Sequence, residues 1–225
     1  MAKKDFFTEH TLEMDGPALI FHARKMLKDK NIRLNLGFGM EDVMTLLHDM
    51  VYILAAVALM FTFFVRLITV DGISMEPTLQ AQDKVMLLSN VWYRHPQRGD
   101  VVVARIPEFS PDPIVKRVIA VEGDVVDIDF EEGTVSVNGQ ILEESYVSGP
   151  TNLQFHDAGI RFPVEIGEDC VFLMGDNRNV SYDSRFGSIG QVDRRNIMGK
   201  VIYLMLPGSD EETSGPDFDR IGKLD

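Results

Sequence analysis

The first residue whose setting favours chemistry is Ser74, in the stretch VDGISMEPTLQAQDKV of residues 70–85. Gly72 precedes this serine and Pro77 follows it, so the backbone is held in a turn from which a hydroxyl can project. The same pattern is also typical of an ordinary loop serine. Ser74 becomes a candidate nucleophile only if a base lies close to it in space.

A lysine and an arginine stand side by side in SPDPIVKRVIAVEGD, residues 110–124, a run rich in β-branched residues that predicts a strand. Successive strand residues face opposite sides, so Lys116 and Arg117 would each meet apolar neighbours. A buried charge is costly, and lysine can respond by losing its proton, whereas arginine cannot. Lys116 is therefore the candidate general base, and Arg117 is expected to be exposed or paired.

The third candidate element is the polar loop MGDNRNVSYDSRFGSIG, residues 174–190, which follows a predicted strand. Within eight residues it carries Arg178, Ser181, Asp183, Ser184 and Arg185. The simpler interpretation is a solvated loop with an Asp-Arg surface pair, which would contribute little to stability.

Other catalytic chemistries have little support in the sequence. The five histidines are scattered, and there is no HExxH, G-x-S-x-G or S-x-x-K motif and no glycine-rich phosphate loop. The single cysteine, Cys170, has no CxxC partner for zinc. We therefore expect neither a metal nor a cofactor.

The elements that must position these residues are mostly strands. Short runs rich in Val and Ile, broken by Gly, Pro and Asp, fill residues 71–207 and predict a mostly β domain. Asn138-Gly139 between apolar flanks predicts a tight hairpin turn.

An apolar segment precedes this domain. Residues 50–70 form 21 residues with Arg66 as the single charge, about 31 Å as a helix, and predict one membrane span rather than a buried core helix. Seven Lys/Arg before the span place residues 1–49 on the cytoplasmic side. Residues 208–225 predict an acidic, mobile C-terminal tail.

The net charge of −13 lies entirely after the apolar segment. From residue 69 onward, 14 Lys/Arg stand against 27 Asp/Glu. An acidic domain argues against a nucleic-acid partner, because phosphate binding needs clustered basic residues.

Four sequence blocks together resemble the bacterial type I signal peptidases, membrane-anchored serine proteases with a Ser-Lys dyad. The blocks are GISMEPTL, GDVVVARIP, IVKRVIAVEGDVV and MGDNRNVSYDSRFG, in the family's order and after a span. The resemblance is to the short, Gram-positive-like form. It implies a signal-peptidase/LexA-like β domain after a single N-terminal transmembrane helix.

The resemblance also implies residue roles. Ser74 would be the nucleophile, with its backbone N–H donating to the oxyanion, and Lys116 would be the general base. Ser181 would orient the lysine amine, and Asp183 and Arg185 would brace this part of the site.

One position departs from the Gram-negative pattern. The residue two before the nucleophile is there a serine whose hydroxyl completes the oxyanion hole, whereas here it is Gly72. The second oxyanion donor is therefore left open.

The implied partners are the lipid bilayer and the signal peptides of secreted preproteins, cut after Ala-x-Ala. The implied location is a bacterial cell membrane, with a single pass, a cytoplasmic N-terminus and an extracytoplasmic catalytic domain. A self-cleaving LexA-like Ser-Lys protease is an alternative, but it would need a DNA-binding helix-turn-helix. A non-enzymatic, membrane-anchored β binding module would explain the span and the sheet but not the serine, the lysine and the polar loop together.

Overall fold

The computed structural model describes residues 39–155, 158–208 and 215–224. The chain divides into two compact units, Met1–Tyr52 and Ile53–Asp225, and the strands of the described residues lie in the second. Most of the predicted N-terminal segment, residues 1–49, lies outside the described residues.

Within the described residues, the helix α1 (Met40–Phe63) precedes the strands. Glu41 and Asp42 lie in its first turn, where negative charge complements the helix dipole, and the Asp42 carboxylate accepts the Gly39 N–H at 3.0 Å. None of its described side chains is buried. Its 24 residues span about 36 Å, so it is long and apolar enough to cross a membrane.

The helix bounds predicted from the sequence, residues 50–70, are wrong at both ends. The helix begins at Met40, so residues 40–49 and the apolar run form one continuous helix. It ends at Phe63 because β1 (Val65–Thr69) pairs with β2 (Lys84–Ser89) along its whole length, from Val65 opposite Leu88 to Thr69 opposite Lys84. Sheet pairing therefore overrides the apolar continuity of the sequence.

The larger sheet has eight antiparallel strands in the order β1-β2-β11-β3-β4-β9-β10, with β12 paired to β11. Its remaining strands are β3 (Val101–Ala104), β4 (Ile114–Val121), β9 (Cys170–Met174), β10 (Val192–Asp193), β11 (Ile197–Leu206) and β12 (Gly222–Lys223). The predicted mostly β domain after an apolar helix is confirmed.

The smaller sheet has four strands in the order β7-β6-β5-β8. They are β5 (Val125–Asp129), β6 (Thr134–Val137), β7 (Gln140–Ile141) and β8 (Val164–Glu165). The predicted hairpin turn is confirmed, since Asn138 and Gly139 have φ of 54° and 76° and connect β6 to β7.

The C-terminal residues 215–224 pack on the larger sheet, so the prediction of a wholly mobile tail is wrong for this part. Phe218–Arg220 form a 3₁₀ turn, and β12 pairs with β11. Arg220 donates to Asp83, a fully buried carboxylate, at 2.6 Å. The acidic composition predicted mobility, but the Arg220–Asp83 pair and the pairing of β12 with β11 fix residues 215–224. Residues 209–214 and 225 of the predicted tail lie outside the described residues.

Candidate active site

Ser74 lies in the turn between β1 and β2. Val70 and Asp83 close the base of this loop, since the Val70 N–H donates to the Asp83 carbonyl at 2.8 Å. Met75 and Leu79 are buried with strand residues of β2, β3 and β11 in one apolar cluster. The serine is therefore held between a closed loop base and two anchored apolar side chains.

Lys116 lies on β4, and its Nζ is 2.6 Å from the Ser74 Oγ. The side chain is nearly fully buried, at 3% exposure. Burial lowers the pKa of Lys116 from its usual 10.5 to about 8; the charges of Asp183 and Asp176 oppose the shift, and that of Arg185 adds to it. At pH 7 roughly a tenth of the molecules then carry a neutral amine, against roughly one in three thousand for an ordinary lysine.

The arginine next in sequence connects the lysine strand to the serine turn. Arg117 donates to both carboxylate oxygens of Asp176, at 2.9 and 2.8 Å, and the pair is buried. The second of these oxygens also accepts the Thr78 hydroxyl at 2.5 Å, four residues after Ser74. Of the two expected states of Arg117, exposed or paired, the paired one is observed.

Asp183 and Arg185 form a second buried ion pair. The Arg185 Nε and Nη2 donate to the two Asp183 oxygens at 2.8 and 2.9 Å. Asp183 also accepts the Gly175 N–H at 3.0 Å, which ties the loop back to the end of β9. The structure therefore brings these two predicted site residues together, in the core rather than on the surface.

Ser181 is fully buried, and its hydroxyl has no hydrogen-bond partner among the described residues, Lys116 included. It lies against Gly175, where an added Cβ would be 2.2 Å from the Ser181 Oγ and 2.5 Å from the Ser74 carbonyl oxygen. Only glycine fits between the two serines. The role of Ser181 toward the lysine stays a prediction.

Sequence reasoning missed several residues that hold this loop. Two of them are Asp176 and Thr78, which are hydrogen-bonded to each other. A third, Asn177, donates its backbone N–H to the Ser74 carbonyl at 3.0 Å. Arg178 is buried and pairs with Glu144, and Arg185 donates to the Arg178 carbonyl at 2.6 Å. The sequence signals for them were the polar Gly-Asp-Asn-Arg turn after β9 and, for Thr78, the GISMEPTL block, and neither revealed their partners.

Gly72 adopts φ of 87°, and a Cβ built there would meet nothing within 4 Å. No described backbone carbonyl accepts the Ser74 N–H. That donor is therefore available to a group bound beside the Ser74 hydroxyl. Among the described residues, no cluster of His, Cys, Asp and Glu has the makings of a metal site.

Comparison with known proteins gives one consistent result. The family model described as signal peptidase, peptidase S26, matches residues 43–206, well over half of the chain. A probable signal peptidase I-2 from Synechocystis sp. is 33% identical over 158 residues, which are 65% of this chain and 65% of the relative. Signal peptidase I P from Bacillus subtilis subsp. natto is 33% identical over 164 residues, 69% of this chain and 86% of the relative.

A crystal structure of a signal peptidase I from Enterococcus faecalis V583 is also similar. It is 25% identical, covers 48% of this chain and 97% of its own, and superposes with a TM-score of 0.38. The family match itself runs from α1 to the end of β11 and includes all four sequence blocks. The chain therefore belongs to the signal peptidase family of peptidases and is a hydrolase of that class.

Proposed function

We propose that this chain is a membrane-anchored serine endopeptidase that removes N-terminal signal peptides from secreted preproteins, with Ser74 as nucleophile and Lys116 as general base. The observation that supports this most directly is the 2.6 Å contact between the Ser74 hydroxyl and a buried lysine whose pKa is lowered to about 8. A neutral amine at this distance can accept the hydroxyl proton as the oxygen attacks.

In the acylation step, Lys116 takes the proton of Ser74 while Oγ attacks the scissile carbonyl. The resulting tetrahedral oxyanion receives the Ser74 backbone N–H, which has no described backbone acceptor. Lys116 then returns the proton to the leaving amine, and the C–N bond breaks. The products are the new N-terminus of the mature protein and an ester between Ser74 and the signal peptide.

In the deacylation step, a water attacks the ester carbonyl with Lys116 again as base. The water proton passes through the lysine to the Ser74 oxygen as the ester bond breaks. Burial serves both steps, because a lysine exposed to water would stay protonated at neutral pH and could not accept a proton.

The membrane anchor places the site near its substrate. Ser74 follows the last residue of α1, Phe63, by eleven residues, so it lies within about 40 Å of the helix end along even a fully extended chain. A signal peptide is itself inserted in the bilayer. Tethering both partners to one membrane raises their effective concentration.

The orientation and specificity also belong to the proposal. The N-terminus is cytoplasmic and the strands are extracytoplasmic, on the side where preproteins emerge. The substrate binds as an extended strand, with small side chains such as those of Ala-x-Ala before the cut.

Cleavage of a preprotein with an Ala-x-Ala site tests this proposal. The full chain in detergent or lipid is compared with Ser74→Ala, Lys116→Ala and Lys116→Arg, and with Lys84→Ala as a control for an exposed lysine on β2. We expect cleavage after the second alanine by the wild type and the control, and no cleavage by the three site variants. Near-normal activity of Lys116→Arg would show that the lysine is not a base.

A further inference from the structure

A basic cleft lies on the strand domain, apart from the Ser74 site. It has a volume of about 300 Å³, and three arginines, Arg66, Arg105 and Arg195, line it together with Asn90 and Asn196. None of the described lining residues is acidic. Residues 66–225 carry 15 Lys/Arg against 27 Asp/Glu, so three arginines around one cleft are opposite in sign to the net charge of this region.

The arginines of this cleft differ in their pairing. Arg66 and Arg105 are exposed and have no acidic partner among the described residues. Arg195 is 84% exposed and pairs with Asp193 at 2.5 Å, an exposed contact of the kind that contributes little. Two guanidinium groups are therefore unneutralised, and both have the planar donor geometry that suits a phosphate oxygen pair.

The backbone that carries the arginines is fixed. Arg66 lies on β1 opposite Leu87 of β2. The Arg105 N–H donates to the Asn196 carbonyl at 2.9 Å, and the Asn90 N–H donates to the Met198 carbonyl at 3.0 Å. The cleft is therefore formed by strand ends held in register, not by a loose loop.

The position of the cleft close to the end of α1 indicates what kind of phosphate group it would bind. Arg66 is the third residue after Phe63, where α1 ends, so it lies within about 11 Å of the helix end. Trp92 stacks on Phe64 with ring centroids 4.7 Å apart, and both rings are largely exposed. Aromatic rings at the end of an apolar helix are typical of the membrane interface, where lipid headgroups lie.

We propose that the cleft lined by Arg66, Arg105 and Arg195 binds the phosphate of an anionic phospholipid headgroup in the leaflet where α1 ends. This inference rests on the proposed membrane span of α1 and does not depend on peptide cleavage. Such a contact would hold the acidic strand domain against a negatively charged surface that would otherwise repel it.

The single tryptophan, Trp92, reports on this contact. The full chain in neutral detergent micelles is titrated with phosphatidylglycerol or phosphatidylcholine, each brominated on its acyl chains, and quenching of Trp92 fluorescence is measured. We expect half-quenching at a roughly 25-fold lower mole fraction of phosphatidylglycerol, since each of the two unpaired arginines near an anionic surface contributes about fivefold.

Arg66→Gln/Arg105→Gln should reduce this lipid preference to twofold or less. The matched control is Arg194→Gln, because Arg194 is a neighbouring exposed arginine that pairs with Asp169 and does not line the cleft. The control should keep the wild-type preference. Equal quenching of the wild type by the two lipids, or a preference that survives the double substitution, would overturn the proposal.

Two further arms separate the alternatives. If millimolar inorganic phosphate abolishes the preference at constant ionic strength, the cleft is a site for free phosphate, and the headgroup assignment is overturned. Preprotein cleavage by the same samples is scored independently. Cleavage without lipid preference contradicts only the headgroup site, and lipid preference without cleavage contradicts only the peptidase function.

Discussion

Lys116 and Arg117 are neighbours on β4, point to opposite faces of the strand, and are each only 3% exposed. Arg117 pairs with Asp176 through two hydrogen bonds. Lys116 has the Ser74 hydroxyl as its side-chain partner, and its pKa falls to about 8. One strand thus carries two buried cations, one stabilised by a counterion and the other poised to lose its proton.

The pH dependence of cleavage should follow the protonation state of Lys116. The neutral amine is the active form, so kcat/KM should rise tenfold per pH unit below pH about 8 and level off above it. A pH profile of preprotein cleavage measures this, with stability checked at each pH. A rate that does not change between pH 6 and pH 9 would contradict the assignment of Lys116 as base.

Replacing the base with an apolar residue should stabilise the fold. Below pH 8 the folded state holds a buried ammonium whose pKa is below the unfolded value, so Lys116→Met should gain about 3 kcal/mol of unfolding free energy at pH 7. The gain should shrink as pH rises from 8 toward 10.5, where the unfolded lysine also loses its proton. Thermal unfolding at several pH values measures this, and a variant less stable than the wild type at pH 7 would contradict it.

Ser181→Ala should separate stability from activity. The Ser181 hydroxyl is buried without a described partner, so removing it should leave the unfolding free energy unchanged or raise it by about 1 kcal/mol. If the hydroxyl orients the lysine during catalysis, kcat should fall at least tenfold in the same variant. Unfolding and single-turnover cleavage are measured together, and unchanged kcat would exclude the orienting role.

Gly175→Ala should inactivate the site through a steric clash. The new Cβ would lie 2.2 Å from the Ser181 Oγ and 2.5 Å from the Ser74 carbonyl oxygen, so the Ser74 turn must move. A shift of about 1 Å at a nucleophile costs roughly a hundredfold in rate. Gly149→Ala is the matched control, because its Cβ would meet nothing within 4 Å. Comparable rates for the two variants would show that the turn tolerates the displacement.

The Arg220–Asp83 ion pair should contribute more to the free energy of unfolding than exposed ion pairs do. Arg220→Gln leaves the fully buried Asp83 without its cation and should cost about 3 kcal/mol. Arg195→Gln breaks an exposed pair with Asp193 and should not change stability measurably. Thermal unfolding of both variants makes the comparison, and equal stabilities would show that the C-terminal residues do not support the strand domain.

Local patterns predicted the strands and the hairpin, because alternation and turn residues act over a few positions. They also predicted that Lys116 and Arg117 face opposite sides of one strand. The partners of buried charged residues lie far away in the chain: Arg117 and Asp176 are 59 residues apart, and Asp83 and Arg220 are 137 apart. No local pattern predicts such pairs, so the Arg117–Asp176 and Arg220–Asp83 pairs were missed, whereas Asp183 and Arg185, two residues apart, were predicted as a pair.

The helix bounds were missed for a related reason. Val65 to Thr69 continues an apolar run, and nothing in the sequence distinguishes the end of a span from a first strand. The pairing with β2 decides between them, and that pairing is a tertiary contact. Composition likewise suggested a mobile tail, because it does not show the tertiary contacts of this segment: the Arg220–Asp83 pair and the pairing of β12 with β11.

The Arg117–Asp176 pair has a consequence for strand alignment. If β4 slipped by one position against its neighbours, every side chain would change faces, and the guanidinium would take the lysine's place beside Ser74. That misaligned form would have no proton acceptor at the nucleophile, and Asp176 would lose its bidentate partner. The buried Arg117–Asp176 pair therefore disfavours a misaligned β4 in which the strand would still be paired but Ser74 would have no base.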